Sequence, residues 1–199
     1  MDLPDHLELP LRTGSGYWYW IGGSPAVDFV NTLRERWRRR VECLVGPDDL
    51  AGWLTHAGLV DDGATATARQ VVAARALRES IDALLVAAVG DGPPERGAVT
   101  ALDTALGRGA PKPAFLTGDD DVPMLGTRGP DDPVDAALGR LALDAAGILG
   151  TPMRARLRVC AAPDCSARFL DRSPAGRRRW CSMAGCGNRE KVRRHRSRA

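Results

Sequence analysis

The feature that most constrains this chain is a group of four cysteines near one end, Cys160, Cys165, Cys181 and Cys186. They form two pairs, each spaced Cys-x4-Cys, with fifteen residues between the pairs. Zinc asks for four tetrahedral ligands and little else, and two short loops of paired thiolates joined by a hairpin-length segment supply them. A disulfide framework is the competing use of such a set. The opening residues, MDLPDHLELPLR, are acidic and broken by two prolines, so they do not read as a secretion signal, and a cytoplasmic location is expected. Four thiolates close the shell of the ion, which favours one structural Zn2+ over a catalytic one. The alternative, four incidental core thiols, fits the paired spacing poorly. His195 lies on a predicted helix well past Cys186 and is read as facing solvent or phosphate. Cys43 is read as a core thiol.

The linking segment SARFLDRSPAGRRRW predicts a β-hairpin. Phe169-Leu170 form its first strand, Arg179-Trp180 its second, and Ser173 to Gly176 the turn. From about Gly187 the sequence favours a helix. A knuckle, a hairpin and a helix carrying the last ligand is a treble-clef-like layout. So small a unit buries little, and metal binding is expected to supply much of its stability.

Charge is segregated around this module. Residues 151–199 hold 14 Lys/Arg against 3 Asp/Glu, whereas residues 1–150 hold 14 against 22. A GC-rich genome explains Arg over Lys, but not the scarcity of acids in the last fifty residues or so. Arg177, Arg178 and Arg179 precede the third cysteine. Arg189, Lys191, Arg193, Arg194, Arg196 and Arg198 follow the fourth. These nine residues are the candidate contacts to DNA phosphates. A solvated basic tail is the plainer reading. A zinc-dependent adaptor that contacts an acidic protein partner is the alternative function.

Residues 1–150 read as a mainly helical domain with a small β component. Tyr17 to Ile21, an aromatic run between glycines, predicts a strand. Ser24 or Asp28 would cap a helix whose stripe is Phe29, Leu33 and Trp37. Further helices are expected over 47–57, 64–89, 95–107 and 131–149. The last has Asp132 as cap before Pro133 and a face of Val134, Leu138, Leu141, Ala145 and Ile148. Ala114 to Leu116 and Met124-Leu125 are candidate short strands. No stretch of 18 apolar residues is present, so no membrane span is expected. No nucleophile–His–acid set and no phosphate loop stand out, so the chain is not expected to be an enzyme.

The string CSMAGCGNR, with the preceding RVCAAPDCSARFLDRSPAGRRRWC, resembles the CGNR zinc-finger family. Upstream, AVDFVNTL at residues 26–33 resembles the LDFVNT signature of the ABATE domain, with Ala26-Val27 in place of a Leu-Cys-Leu-like run. Together the resemblances span nearly the whole chain. They imply an ABATE-like domain over 1–150 and a CGNR-type finger over 151–199. They also imply a bacterial, stress-induced transcription regulator whose finger binds DNA. The body would then sense a small-molecule effector or self-associate as a homodimer. Asp28 and Asn31, the polar members of the ABATE motif, are candidate ligand-pocket residues, with helix capping by Asp28 the plainer role. Asn188 is expected either to cap its helix or to contact the thiolates.

Overall fold

The computed structural model describes residues 3–118 and 121–197. Arg198, one of the candidate DNA contacts, lies outside the described residues. Among the described residues the architecture is mainly α with three small antiparallel strand pairs.

Helix α1 (Pro25–Val30) is short, and Ser24 caps it by accepting from the Val27 N–H. It does not continue to Trp37 as expected. Thr32 turns its hydroxyl back onto the Phe29 carbonyl at 2.6 Å, and the chain leaves the helix there. Strand β1 (Leu33–Arg34) then pairs with β2 (Val41–Glu42). Trp37 ends up half exposed on the connecting loop. The aromatic run is likewise no strand. Tyr17 to Ile21 is irregular, and two of its rings serve as packing pieces. Trp20 stacks on Trp53 at 5.4 Å, and Trp18 meets His56 edge-on at 5.1 Å.

The helical core follows its sequence signals. Helix α2 (Pro47–His56) starts behind Gly46. Asp49, rather than capping as the first residue, reaches back from the third helical position to the Gly46 N–H at 2.8 Å. Helix α3 (Ala68–Val89) opens with a reciprocal Thr67–Gln70 capping box, which satisfies two orphan donors at once. Helix α4 (Arg96–Gly109) leads into strand β3 (Lys112–Thr117), which pairs with β4 (Pro123–Arg128). Helix α5 (Pro133–Leu149) is capped by Asp132, which accepts from the Val134 and Asp135 N–H groups. Helices α4 and α5 meet backbone to backbone. A Cβ on Gly109 would stand 2.3 Å from the Gly139 Cα, so neither position tolerates a side chain without separating the helices. Trp53, Phe29, Leu50, Leu54, Ile81, Leu85 and Leu141 are fully buried between these helices.

A short 3-10 turn over Pro152–Arg156 brings the chain into β5 (Leu157–Val159), which pairs with β6 (Arg168–Leu170). This corrects the expected hairpin: the partner of Phe169-Leu170 is the segment before the first cysteine, not Arg179-Trp180. The turn at Ser173 to Gly176 is present, with Gly176 at φ 61°. Beyond it the chain is irregular up to a wide helical turn over Met183–Gly187. Helix α6 (Asn188–Arg196) follows, close to where the sequence places it.

Candidate metal centre

Strand β6 lies between two cores, and its alternation explains how. Leu170 belongs to the large helical core together with its cross-strand partner Leu157. Phe169, one residue earlier, points the other way and packs with Cys160, Cys165, Cys181 and Cys186. Arg168 returns to the body side and meets Asp82 of α3 at 2.8 Å. Three consecutive residues therefore join the cysteine cluster to the helices.

The four thiols are buried and their sulfur atoms all lie within 4.8 Å of one another. The Cys165–Cys181 and Cys181–Cys186 Sγ separations are 3.8 and 3.6 Å. A tetrahedral ion with Zn–S bonds of about 2.3 Å needs sulfur–sulfur edges of roughly 3.8 Å, so the cluster fits one zinc. Local hydrogen bonds set each loop. The Cys160 N–H donates to the Ala167 carbonyl, the Cys165 N–H to Ala162, and the Ala161 N–H to Arg179. The Cys160 thiol is held well below its ordinary range, first by its hydrogen bond with Cys165 and then by those with Cys181 and Cys186. Cys43 is the contrast. It is buried alone beside the Tyr17 carbonyl, and burial pushes its thiol up to about 12, so it stays a protonated core group.

A zinc tetrathiolate carries about −2 charge, and its sulfurs need donors around them. The Ala167 N–H approaches Cys165 Sγ at 3.5 Å. The Arg189 guanidinium approaches Cys186 Sγ at 3.1 Å and also pairs with Asp164 at 3.4 Å. Arg189 of the CGNR motif thus faces the metal centre. Asn188 does not reach the thiolates. Its amide donates to the Ala184 carbonyl at 3.3 Å and holds the wide turn before α6.

The candidate DNA contacts divide by environment. Arg178 is structural: its N–H donates to Asp171 at 2.8 Å, its guanidinium to the Cys181 carbonyl at 2.8 Å, and it lies over Phe169. Asp171 is fully buried. The Ser173 hydroxyl and the Ser173 and Arg178 N–H groups hold its carboxyl at about 2. Arg193 and Arg194 are exposed but grip Glu190 on their own helix. Arg177, Arg179, Lys191 and Arg196 are exposed with no acidic partner among the described residues. His195 is exposed as well and takes no part in the metal cluster. Beside the cluster runs a groove of about 550 Å3, lined among others by Asn188, Arg189, Val192, Arg193 and Arg196.

Asp28 and Asn31 are occupied with backbone. Asp28 does not cap α1. Its Oδ1 accepts from the Ile21 and Gly22 N–H groups at 2.9 and 2.7 Å, which pins the aromatic segment to the helix. Burial raises its carboxyl to about 6, opposed by those two hydrogen bonds. Asn31 makes a two-way link to Arg168. Its Nδ2 donates to the Arg168 carbonyl and its Oδ1 accepts from the Arg168 N–H, both at 2.9 Å. The Leu170 N–H donates to the Gly22 carbonyl at 2.8 Å. Asn31 and Gly22 thereby act as a substitute strand along the outer edge of β6.

The sequence reading missed this seam. Besides Asn31, it consists of Arg36, Glu79, Asp82, Ser166 and Arg168. The Arg36 N–H donates to Ser166 Oγ, and its guanidinium pairs with Glu79 and Asp82. One signal was available: Arg75, Arg78, Glu79 and Asp82 make a charged stripe along α3. Such a stripe is either solvated or paired, and Arg78, only 2% exposed, is paired with Glu42.

Comparison with known families agrees with this geometry. Residues 156–199 match the CGNR zinc finger. Residues 23–152 match the ABATE family, described as "putative stress-induced transcription regulator". No curated protein matches the chain. The ABATE match spans more than half of the chain and meets the finger at the seam held by Asn31 and Arg168. This zinc-binding protein therefore belongs to the ABATE family, with a CGNR zinc finger at its C-terminal end.

Proposed function

We propose that this protein is a DNA-binding transcription regulator of the cytoplasm, with no catalytic activity of its own, in which zinc holds a cationic surface in a fixed shape. The observation that carries the proposal is the division of charge on the module. Asp171 is buried, Asp164 pairs with Arg189, and Glu190 grips two arginines of its own helix. Every acid of the described module is engaged, which leaves Arg177, Arg179, Lys191 and Arg196 to face solvent. Such a surface suits a polyanion. Four thiolates leave the zinc no open coordination position for chemistry, which supports a structural role.

The test is a salt titration of duplex-DNA affinity with the intact, zinc-loaded protein. If about four side chains contact phosphates, log K falls against log salt with a slope of roughly −4. Replacing Arg177, Arg179, Lys191 and Arg196 together by Ala should flatten that slope while zinc content stays unchanged. No binding at low salt would end the DNA reading, and capture of an acidic protein by the same surface would replace it.

A further inference from the structure

The loop that joins β1 to β2, residues 35–40, carries the run ERWRRR. Glu35 and Arg40 both take left-handed backbone, at φ 49° and 52°. That conformation costs a residue other than glycine free energy, and it persists only where the surroundings fix it. Here they fix it from several sides. The Arg38 and Arg40 N–H groups donate to the Glu35 carbonyl at 2.8 and 3.0 Å. The Arg39 guanidinium donates to both carboxylate oxygens of Glu35 and to the Pro4 carbonyl, each at 2.7 Å. Arg36 is buried and paired with Glu79 and Asp82. What this frame presents to solvent is Trp37, half exposed, with Arg38 and Arg40 beside it.

The loop is also fixed against the zinc module. The Trp37 indole N–H donates to the Pro163 carbonyl at 3.3 Å, and the Arg36 N–H to Ser166 Oγ at 3.0 Å. It therefore lies against the turn that carries Cys160 and Cys165. Arg38 and Arg189 line one cleft there, together with Asp164. The same Asp164 and Arg189 line the groove along α6, with Arg193 and Arg196. Arg189, Arg193 and Arg196 recur at helical spacing, share one face and span about 10 Å of α6. The cationic face of α6 thus continues, past the Asp164–Arg189 pair, to Arg38 on the body.

Arg38 differs from Arg36 and Arg39 in having no acidic partner among the described residues. Of the acids in its cleft, Glu35 is taken by Arg39 and Asp164 by Arg189, and the charge of Asp5 also acts on Arg39. Trp37 has no donor left, because an indole carries one N–H and Pro163 accepts it. The Arg168 guanidinium lies over its ring at 5.5 Å, and the exposed remainder offers apolar surface only. A cation and an apolar ring side by side on a rigid loop suit a sugar-phosphate chain, the guanidinium for a phosphate and the indole for a sugar.

We propose that this loop of the body is part of the DNA-binding surface: Arg38 contacts a phosphate and Trp37 packs against an adjoining sugar, next to the cations of the zinc module. The inference rests on the DNA reading of that module. Because the loop is held before DNA arrives, little ordering cost opposes the contact. The seam then has a task beyond support. The bonds from Arg36 to Ser166 and from Trp37 to Pro163 set the spacing between the body's cation and those of α6.

Duplex-DNA affinity of the full zinc-loaded chain, measured against salt for single variants, tests the proposal. Arg38→Ala should weaken binding about five- to tenfold at about 0.1 M salt and make the slope of log K against log salt shallower by about 0.9, and Arg38→Lys should restore the slope. Trp37→Ala should weaken binding about fivefold with the slope unchanged, because the ring displaces no counterion. Zinc content and helical circular dichroism should match the wild type in all three. A protein that binds DNA through Arg177, Arg179, Lys191 and Arg196 yet is indifferent to Arg38→Ala overturns the loop's part and leaves the module's part standing. A wild type that binds no DNA at low salt ends both readings. A defect of Trp37→Ala that excess zinc repairs would overturn the sugar contact and make the indole a support of the cysteine turn.

Discussion

The body and the zinc module bury very different things. The body encloses Trp53, Phe29, Leu44, Leu50, Leu54, Ile81, Leu85 and Leu141 at full burial. The module's own cluster contains one large apolar side chain, Phe169, together with two alanines and four cysteine side chains. Burying a Leu or Phe contributes about 1.5–3 kcal/mol, so the body holds enough apolar mass to order itself and the module does not. The module makes up the difference in two ways. Metal ligation ties its loops together, and β6 anchors it to the body through Leu170, Arg168 and the Asn31 amide. The same charge types are also used in opposite ways. On α3 and its neighbours Arg36, Arg78 and Arg168 are buried and paired, whereas Arg193, Arg194 and Arg196 of α6 are exposed.

Loss of the metal should separate the two regions most sharply. Cys181→Ser leaves three thiols, and zinc content should fall from about one per chain to a small fraction. Hydrogen exchange should then show protection lost from residue 160 onward, while the amides of α3 and α5 keep theirs. Loss of protection throughout the helical core as well would mean that the two regions fold as one cooperative unit.

The seam is the next place to strain the contrast. Arg168→Ala removes the partner that answers Asp82, leaves Arg36 as its remaining cation, and takes a guanidinium from a buried site. Breaking one partner of a buried ion pair costs about 3–5 kcal/mol. Denaturant unfolding should show that loss, and a chelator should strip the zinc faster. Asn31→Ala should cost less, about 1–3 kcal/mol, by leaving the Arg168 N–H and carbonyl unmatched. Normal zinc retention in both variants would mean that the metal alone holds the module and the body merely adjoins it.

These residues also mark what the sequence could and could not disclose. The ligand set was legible because zinc loops draw ligands from neighbours in the chain, so spacing reports geometry directly. Helices α2, α3 and α5 were legible for a related reason: a cap such as Asp132 and a face such as Val134, Leu138 and Leu141 are local signals, although the Thr67 cap that starts α3 at Ala68 rather than at 64 went unread. Pairings across the fold were not. Residues Arg179-Trp180 follow a true turn and looked like a return strand. However, Leu157 offers an apolar partner opposite Leu170 for the helical core, and the 177–180 segment is bent so that the Arg178 N–H meets Asp171. Trp37 fitted the helical period of Phe29 and Leu33, yet the chain turns at Thr32. Residues Glu35 and Arg40, at φ 49° and 52°, then form a loop that sends the Trp37 indole to the Pro163 carbonyl at 3.3 Å. Asn31 carried the right chemistry, but its partner lies 137 residues away.

The smallest expected effect concerns Asp28, which holds the strip of chain against which β6 docks. Its folded pKa of about 6 stands above the ordinary 3.8, chiefly because its carboxyl is buried, with Asp144 adding repulsion. Below about pH 4 the group is protonated folded or unfolded, and its contribution to stability is complete. Between there and about pH 6 the folded state holds the proton more tightly, so that contribution is lost as pH rises. Asp28→Asn keeps an oxygen for the Ile21 and Gly22 N–H groups and cannot ionise. Stability measured by denaturant should fall less steeply for the variant than for the wild type between pH 4 and 6.5. At pH 7 the variant should equal or exceed the wild type by on the order of 1 kcal/mol, the relief from desolvation offset by weaker hydrogen bonds to a neutral acceptor. An unchanged slope with a clear loss at pH 7 would mean instead that the charge itself fastens Gly22. Because the Gly22 carbonyl receives the Leu170 N–H, the body's grip on the zinc module would then depend on that ionised carboxylate.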